Sequence, residues 1–245
     1  MRKIDVHGDR KRILILLSNR ATSEQTGWPI GFWWEELTDP YLAFLTAGYE
    51  IDIASPDGGE LYGDGYGDPR DPYGYSADDF VSMGFIHTPA LMAQVESSKS
   101  LDDLDLSSYD AVLLAGGQGP MYTFYNDQRV LDLVAEFYES GRVTAVICHS
   151  TATLLKATKS NGELVVHGLT WTGFANSEED FADEAAGTTI QPFRIEDEAR
   201  RIEGTNFIVG PAFSPHAVRD GNLVTGQQQH SGGAAAQLVI EALGR

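Results

Sequence analysis

Four short apolar runs constrain this chain more than anything else in it: residues 13–17, 51–54, 111–114 and 143–147. A strand with one wet face alternates apolar and polar residues. A strand covered on both faces is apolar almost throughout, which is the pattern of a parallel sheet between helical layers. Helical spacing fills two of the gaps. Leu37, Tyr41, Phe44 and Leu45 recur along one stripe, and Gly48 ends it; Val130, Leu131, Val134, Phe137 and Tyr138 do the same before Gly141. Strand–helix alternation implies an α/β fold with a doubly wound, mostly parallel sheet. At 245 residues the whole chain, 1–245, is expected to form one domain. In such sheets ligands sit beyond the carboxyl ends of the strands.

The fourth run stops at Cys148-His149-Ser150, and a third helical stretch is expected to begin there. Cys148 is the sole cysteine. On a sharp strand-to-helix turn its side chain stands clear of the sheet, and the new helix's N–H groups favour thiolate, the reactive form. The alternative is a buried structural thiol, since free cysteine is among the most buried residue types. His149 could relay protons if its ring lies within reach, though adjacency alone does not make a dyad; a helix-start histidine that fixes local geometry is the plainer reading. A carboxylate should orient that imidazole, and the acidic run Glu178, Glu179, Asp180 offers three candidates. Glu35 and Glu36 follow Trp33 and Trp34, where aromatic surroundings raise a carboxyl pKa and create a possible general acid or base; dipole-favoured acids in a first helical turn are the plainer reading. After the 111–114 strand, Gly116 and Gly117 permit the close backbone approach that an oxyanion hole demands.

Other function classes find little support. Seventeen Lys and Arg against thirty-six Asp and Glu give a net charge of −19, which repels nucleic acid and anionic membranes. The basic residues Arg2, Lys3, Arg10, Lys11 and Arg12 before the first run mimic a signal peptide, but that run is shorter than the roughly 7–15 residues of an h-region. No stretch approaches the roughly 18 apolar residues of a membrane-spanning helix. A single cysteine cannot form an intrachain disulfide, so a cytoplasmic protein is expected. Histidines 7, 87, 149, 167, 216 and 230 lack zinc-type spacing, and no dinucleotide or P-loop fingerprint is present, so neither metal nor cofactor is expected. Segment 57–80 is irregular and rich in Gly and Tyr, a candidate lid. Further on, 208–209 and 223–224 are expected strands, and a last helix is expected from an N-cap at Ser231.

Motifs along nearly the whole chain resemble the DJ-1/PfpI superfamily, and within it the Hsp31-like, glutathione-independent glyoxalase III group. They are residues 31–40 with Glu36, 47–59 ending Asp57-Gly58-Gly59, 109–117 ending Gly116-Gly117, 145–149 with Cys148-His149, Trp171 to Phe174 with Glu178-Glu179, and 220–227. The resemblance implies a flavodoxin-like, class I glutamine amidotransferase-like sandwich with a nucleophile elbow. It implies Cys148 as nucleophile, Glu36 as its carboxyl partner, His149 and Glu178 as the remaining catalytic pair, and the backbone of Gly117 as oxyanion contact. Trp33, Gln118 and Ser150 would border the pocket. Relatives usually carry His where this chain has Gln118, and Gly where it has Ser150. The implied activity is cofactor-free conversion of small α-oxoaldehydes such as methylglyoxal to lactate, with deglycation using the same residues. A stress-response chaperone or cysteine redox sensor, and a cysteine amidase or peptidase, are the alternatives. The expected partners are a small carbonyl substrate and a second copy in a homodimer, with no nucleic acid and no membrane.

Overall fold

The computed structural model describes residues 10–244; Arg2, Lys3 and His7 lie outside them. Eight strands form one sheet. They are β1 (Arg12–Leu16), β2 (Glu50–Ser55), β3 (Asp57–Gly59), β4 (Ser98–Ser100), β5 (Ala111–Leu114), β6 (Val143–Ile147), β7 (Ala217–Asp220) and β8 (Leu223–Gly226). Their order across the sheet is β7-β8-β6-β5-β1-β2-β4-β3. All neighbours are parallel except the two edge pairs, β7–β8 and β3–β4. The apolar runs supply the middle: every residue of β5 and β6 is buried, as are Ile13 to Leu16 of β1. The outer strands β3, β4 and β7 are short and polar, and no apolar run announces them.

Among the described residues seven α-helices follow in chain order: α1 (Trp34–Ala47), α2 (Phe80–Ile86), α3 (Pro89–Glu96), α4 (Gln128–Glu139), α5 (Asn176–Ala186), α6 (Ile195–Ala199) and α7 (Gly232–Leu243). The β1–α1–β2 crossover runs toward one edge and β5–α4–β6 toward the other. Right-handed crossovers therefore place α1 and α4 on opposite faces. α7 packs beside α1 and onto β6 and β8. α1 ends as the sequence indicates: Gly48 takes a left-handed φ of 83° and returns its N–H to the carbonyls of Leu45 and Phe44. The strand order reverses between β1 and β5, and β6 lies next to β5. Loops leaving β1, β5 and β6 thus meet at the switch point, where an open α/β sheet binds its ligands.

Three expectations need correction. The stretch after Cys148 is 3₁₀ helix over Cys148–Leu155, not α. Its hydroxyls explain this: Thr151 donates to the Cys148 carbonyl at 2.6 Å and Thr153 to the Ser150 carbonyl at 2.8 Å, both three residues back. The strand expected at 208–209 lies at Asn206–Phe207, paired with Thr170–Trp171 outside the main sheet. Ser231 does precede α7, but its hydroxyl is not a cap; it accepts from Gln228 and His216 N–H. Among the described residues no helix is long and apolar enough to cross a membrane.

Candidate active site

Cys148 follows β6 with φ 56°, a left-handed conformation that costs a non-glycine residue about 1–3 kcal/mol. The strain turns the side chain out of the sheet direction while leaving it buried. Backbone N–H groups of Gly117 and His149 donate toward its sulfur. The glycines of the β5 loop make room. A Cβ on Gly116 would fall 2.7 Å from both the Cys148 Cβ and a Glu36 carboxyl oxygen, and one on Gly117, whose φ is 95°, would strike the Phe32–Trp33 backbone at 2.6 Å.

Glu36 projects from the first turn of α1 and is wholly buried. Its Oε2 accepts the Gly116 N–H at 2.7 Å, and the carboxyl lies close enough to the Cys148 thiol for each to shift the other's titration. Burial pushes its pKa up to about 7, against the opposing effects of the thiol, the Gly116 N–H and the His149 charge. The thiol is pushed up as well, first by burial and then by the charge of Glu36, with the Gly117 and His149 N–H groups opposing. The expectation of a helix-stabilised resting thiolate therefore fails, because a buried site with a carboxylate beside it outweighs one short 3₁₀ turn. While Glu36 keeps its proton that like-charge repulsion is absent, and forming the thiolate then demands a base for the thiol proton.

His149 is placed to meet that demand. His149 Nδ1 lies 3.3 Å from Cys148 Sγ, and its Nε2 lies 2.9 Å from Glu179 Oε1. The imidazole also stacks on Phe174, with ring centroids 4.1 Å apart. The carboxylate on His149 is thus Glu179 and not Glu178. Successive helical residues point about 100° apart, so only one member of the acidic run can face the ring. Glu178 turns back instead, accepting from Ala175 N–H at 3.0 Å, Phe213 N–H at 2.9 Å and the Gln227 amide at 2.9 Å. Asp180 faces outward and pairs with Arg194 at 2.5 Å.

Trp33, Gly117 and Gln118 border the pocket as expected, but Ser150 does not. The Ser150 hydroxyl is buried and donates to the Ala115 carbonyl at 2.5 Å, tying the elbow to the end of β5. Sequence reading missed Asp64, the buried clamp of the site: it accepts Gly31 N–H at 2.8 Å and Gln118 N–H at 2.5 Å, holding the loops after β1 and β5 together. Its burial pushes its pKa up to about 7 against those two bonds. An Asp between two glycines reads as a turn, and no spacing separates this one from its neighbours. Segment 57–80 also supplies Tyr66 and Tyr75, whose rings meet each other 6.3 Å apart and lie against Trp28 and Trp33.

Trp33, Tyr66, Tyr75, Gly117, Gln118 and Glu179 help line a cavity of about 120 Å³ with Cys148 and His149 in its wall; Glu36 is not among the lining residues. That volume is small beside the roughly 300–1,000 Å³ of pockets for drug-sized ligands. The arrangement provides a nucleophile, a base held by a carboxylate, a second carboxyl able to carry a proton, and N–H donors at the sulfur. Among the described residues no three His, Cys, Asp or Glu side chains cluster as a metal site.

The chain is 26% identical over 235 residues to a probable glutathione-independent glyoxalase of Schizosaccharomyces pombe, covering 87% of this chain and 90% of that one. It is also 26% identical over 235 residues to glyoxalase 3 of Candida albicans, covering 95% and 98%. Among solved structures, the 24 kDa rapid encystment protein of Francisella tularensis superposes with a TM-score of 0.85 at 26% identity, covering 96% of this chain and all of the other. The model of the DJ-1/PfpI family matches residues 31–242, and the chain belongs to that family.

Proposed function

We propose that this protein is a cofactor-independent, glutathione-independent glyoxalase that converts small α-oxoaldehydes to 2-hydroxy acids, methylglyoxal to lactate being the simplest case. The observation that carries the reading is the position of Cys148, beside the Glu36 carboxyl and 3.3 Å from the His149 ring that Glu179 holds. Two relatives covering most of the chain carry glyoxalase names, which supports it.

His149, held by Glu179, takes the thiol proton, and the thiolate adds to the aldehyde carbon to give a hemithioacetal. The aldehyde-derived C–H is then removed as a proton and one is returned to the neighbouring carbon, passing through an enediol. The aldehyde carbon is oxidised to a thioester and the ketone carbon reduced to an alcohol, so no external redox partner is required. Water cleaves the thioester, releasing the hydroxy acid and restoring the thiol. Glu36 suits the proton transfer between carbons because a carboxyl titrating at about 7 can both accept and donate near neutrality. A Cys–His–Glu relay alone would also suit an amidase or peptidase; a second, proton-carrying carboxyl at the sulfur is what an isomerisation adds. Deglycation of early carbonyl adducts would use the same groups. A cytoplasmic homodimer is part of the proposal, and sedimentation analysis tests its assembly.

The test is lactate formation from methylglyoxal without glutathione or added metal. Loss of turnover in both Cys148→Ala and Glu36→Gln supports the reading. Lactate at the Cys148→Ala level from reduced, folded wild-type protein rejects it.

A further inference from the structure

The cavity wall is far more apolar and aromatic than a three-carbon dicarbonyl needs. Buried Cys148 and His149 share that wall with Tyr66, Tyr75, Phe181 and Phe213 and with the small side chains of Ala182 and Ala186 of α5, and the rings that stay solvent-exposed mark its mouth. The enclosed volume, about 120 Å³, compares with the roughly 150 Å³ of a dry protein cavity that binds benzene. It therefore takes a group of five or six heavy atoms, which is a dicarbonyl head. Anything longer must emerge through the mouth, and there Tyr66, Tyr75 and Phe181 remain 36%, 47% and 53% exposed although they line the cavity. Aromatic surface left wet at a pocket entrance is surface that an apolar substituent would cover.

Two more observations point the same way. Only two non-glycine residues among those described have positive φ: Cys148 at 56° and Phe213 at 54°. Phe213 packs edge-on to Phe181 with centroids 5.1 Å apart, and Glu178 anchors its N–H. Strain persists where surrounding structure holds it, characteristically at functional sites, so the second strained residue marks the aromatic wall as the first marks the nucleophile. Charge narrows the choice further. No Lys or Arg lines the cavity, Glu179 does, and the chain carries −19 overall. A substrate with a carboxylate or phosphate finds no counter-charge there. The polar residues of the lining other than His149 and Glu179 are uncharged, Gln118, Gln191 and Gln229 among them, which suits an uncharged dicarbonyl head.

We infer that the pocket selects uncharged α-oxoaldehydes with an aromatic or bulky apolar substituent, phenylglyoxal over methylglyoxal, and that Phe181 is a specificity-determining contact for that substituent. The inference rests on the glyoxalase reading for its chemistry and on the cavity wall for its selectivity, and the two are separable by experiment. Wild-type kcat/KM should be at least tenfold higher for phenylglyoxal than for methylglyoxal. Phe181→Ala, a change at a half-exposed position, should remove most of that ratio by lowering the phenylglyoxal value several-fold more than the methylglyoxal value. Acetophenone, an uncharged aryl ketone lacking the aldehyde, should bind the wild type at least tenfold more tightly than acetone, as read by tryptophan fluorescence, and lose that margin in Phe181→Ala. Equal or better use of methylglyoxal, together with no acetophenone preference, overturns the inference while leaving the glyoxalase reading intact. An acetophenone preference that depends on Phe181, without turnover of either aldehyde, upholds the aryl pocket and rejects the glyoxalase reading.

Discussion

Cys148 owes its chemistry to what touches it. Burial holds the thiol protonated, and an ionised Glu36 would hold it there more firmly, so reactivity depends on the proton of Glu36 and on the base strength of His149. Replacing Glu36 by Gln keeps a hydrogen-bonding group of the same size but removes the charge that appears above pH about 7. At pH 8, iodoacetamide should therefore alkylate Cys148 faster in Glu36→Gln than in wild type, even though lactate formation collapses. Parallel loss of both would mean that Glu36 serves the nucleophile and not the proton transfer. The two neighbouring glutamates should separate equally cleanly. Glu179→Gln should lower kcat by about 100-fold with little change in unfolding midpoint, since it weakens the base alone. Glu178→Ala strands the N–H groups of Ala175 and Phe213 and the Gln227 amide, and should cost about 2–4 kcal/mol in urea denaturation. The acidic run was visible in the sequence, and so was the need for one carboxylate on His149. Which member supplies it depends on the phase of α5, and one residue of phase exchanges a catalytic role for a structural one.

At the scale of elements, the site is a junction of three loops, and its tolerances are those of backbone packing. Ser150 ties the elbow to β5, Asp64 ties the β1 and β5 loops together, and Gly117 lies against the start of α1 too closely for any side chain. Gly117→Ala should destabilise the protein by roughly 2–4 kcal/mol through a forbidden φ and a backbone clash, and should abolish activity in whatever fraction folds; near-native stability and turnover would show the loop to be adaptable. The central strands were legible because burial on both faces leaves an apolar run. The elbow was legible because such a run stops at Cys148. Asp64 and the strands β3, β4 and β7 were not, because short polar segments get their structure from the neighbours they pair with and have no pattern of their own.

For the whole molecule, the buried carboxyls make stability depend on pH in a definite direction. Glu36 binds its proton more tightly in the folded state, with a pKa of about 7 against an unfolded 4.5. Its favourable share of stability is complete below 4.5 and is lost as pH rises through 7, amounting to roughly 3 kcal/mol. Glu36→Gln has no proton to lose. Its stability relative to wild type should be flat below pH 4.5 and rise by up to about 3 kcal/mol by pH 8; a pH-independent difference would place the ionisation elsewhere. The sheet order that creates the switch point, the elbow beside it and the paired carboxyls form one device for adding a thiol to a carbonyl and moving a proton next to it. Intact-mass spectrometry of enzyme quenched in acid during methylglyoxal turnover tests that claim most directly. A single adduct of one methylglyoxal mass is expected on Cys148, absent from Cys148→Ala, which makes no lactate. Undiminished lactate from Cys148→Ala, or turnover of the wild type with no adduct on the thiol, would contradict it.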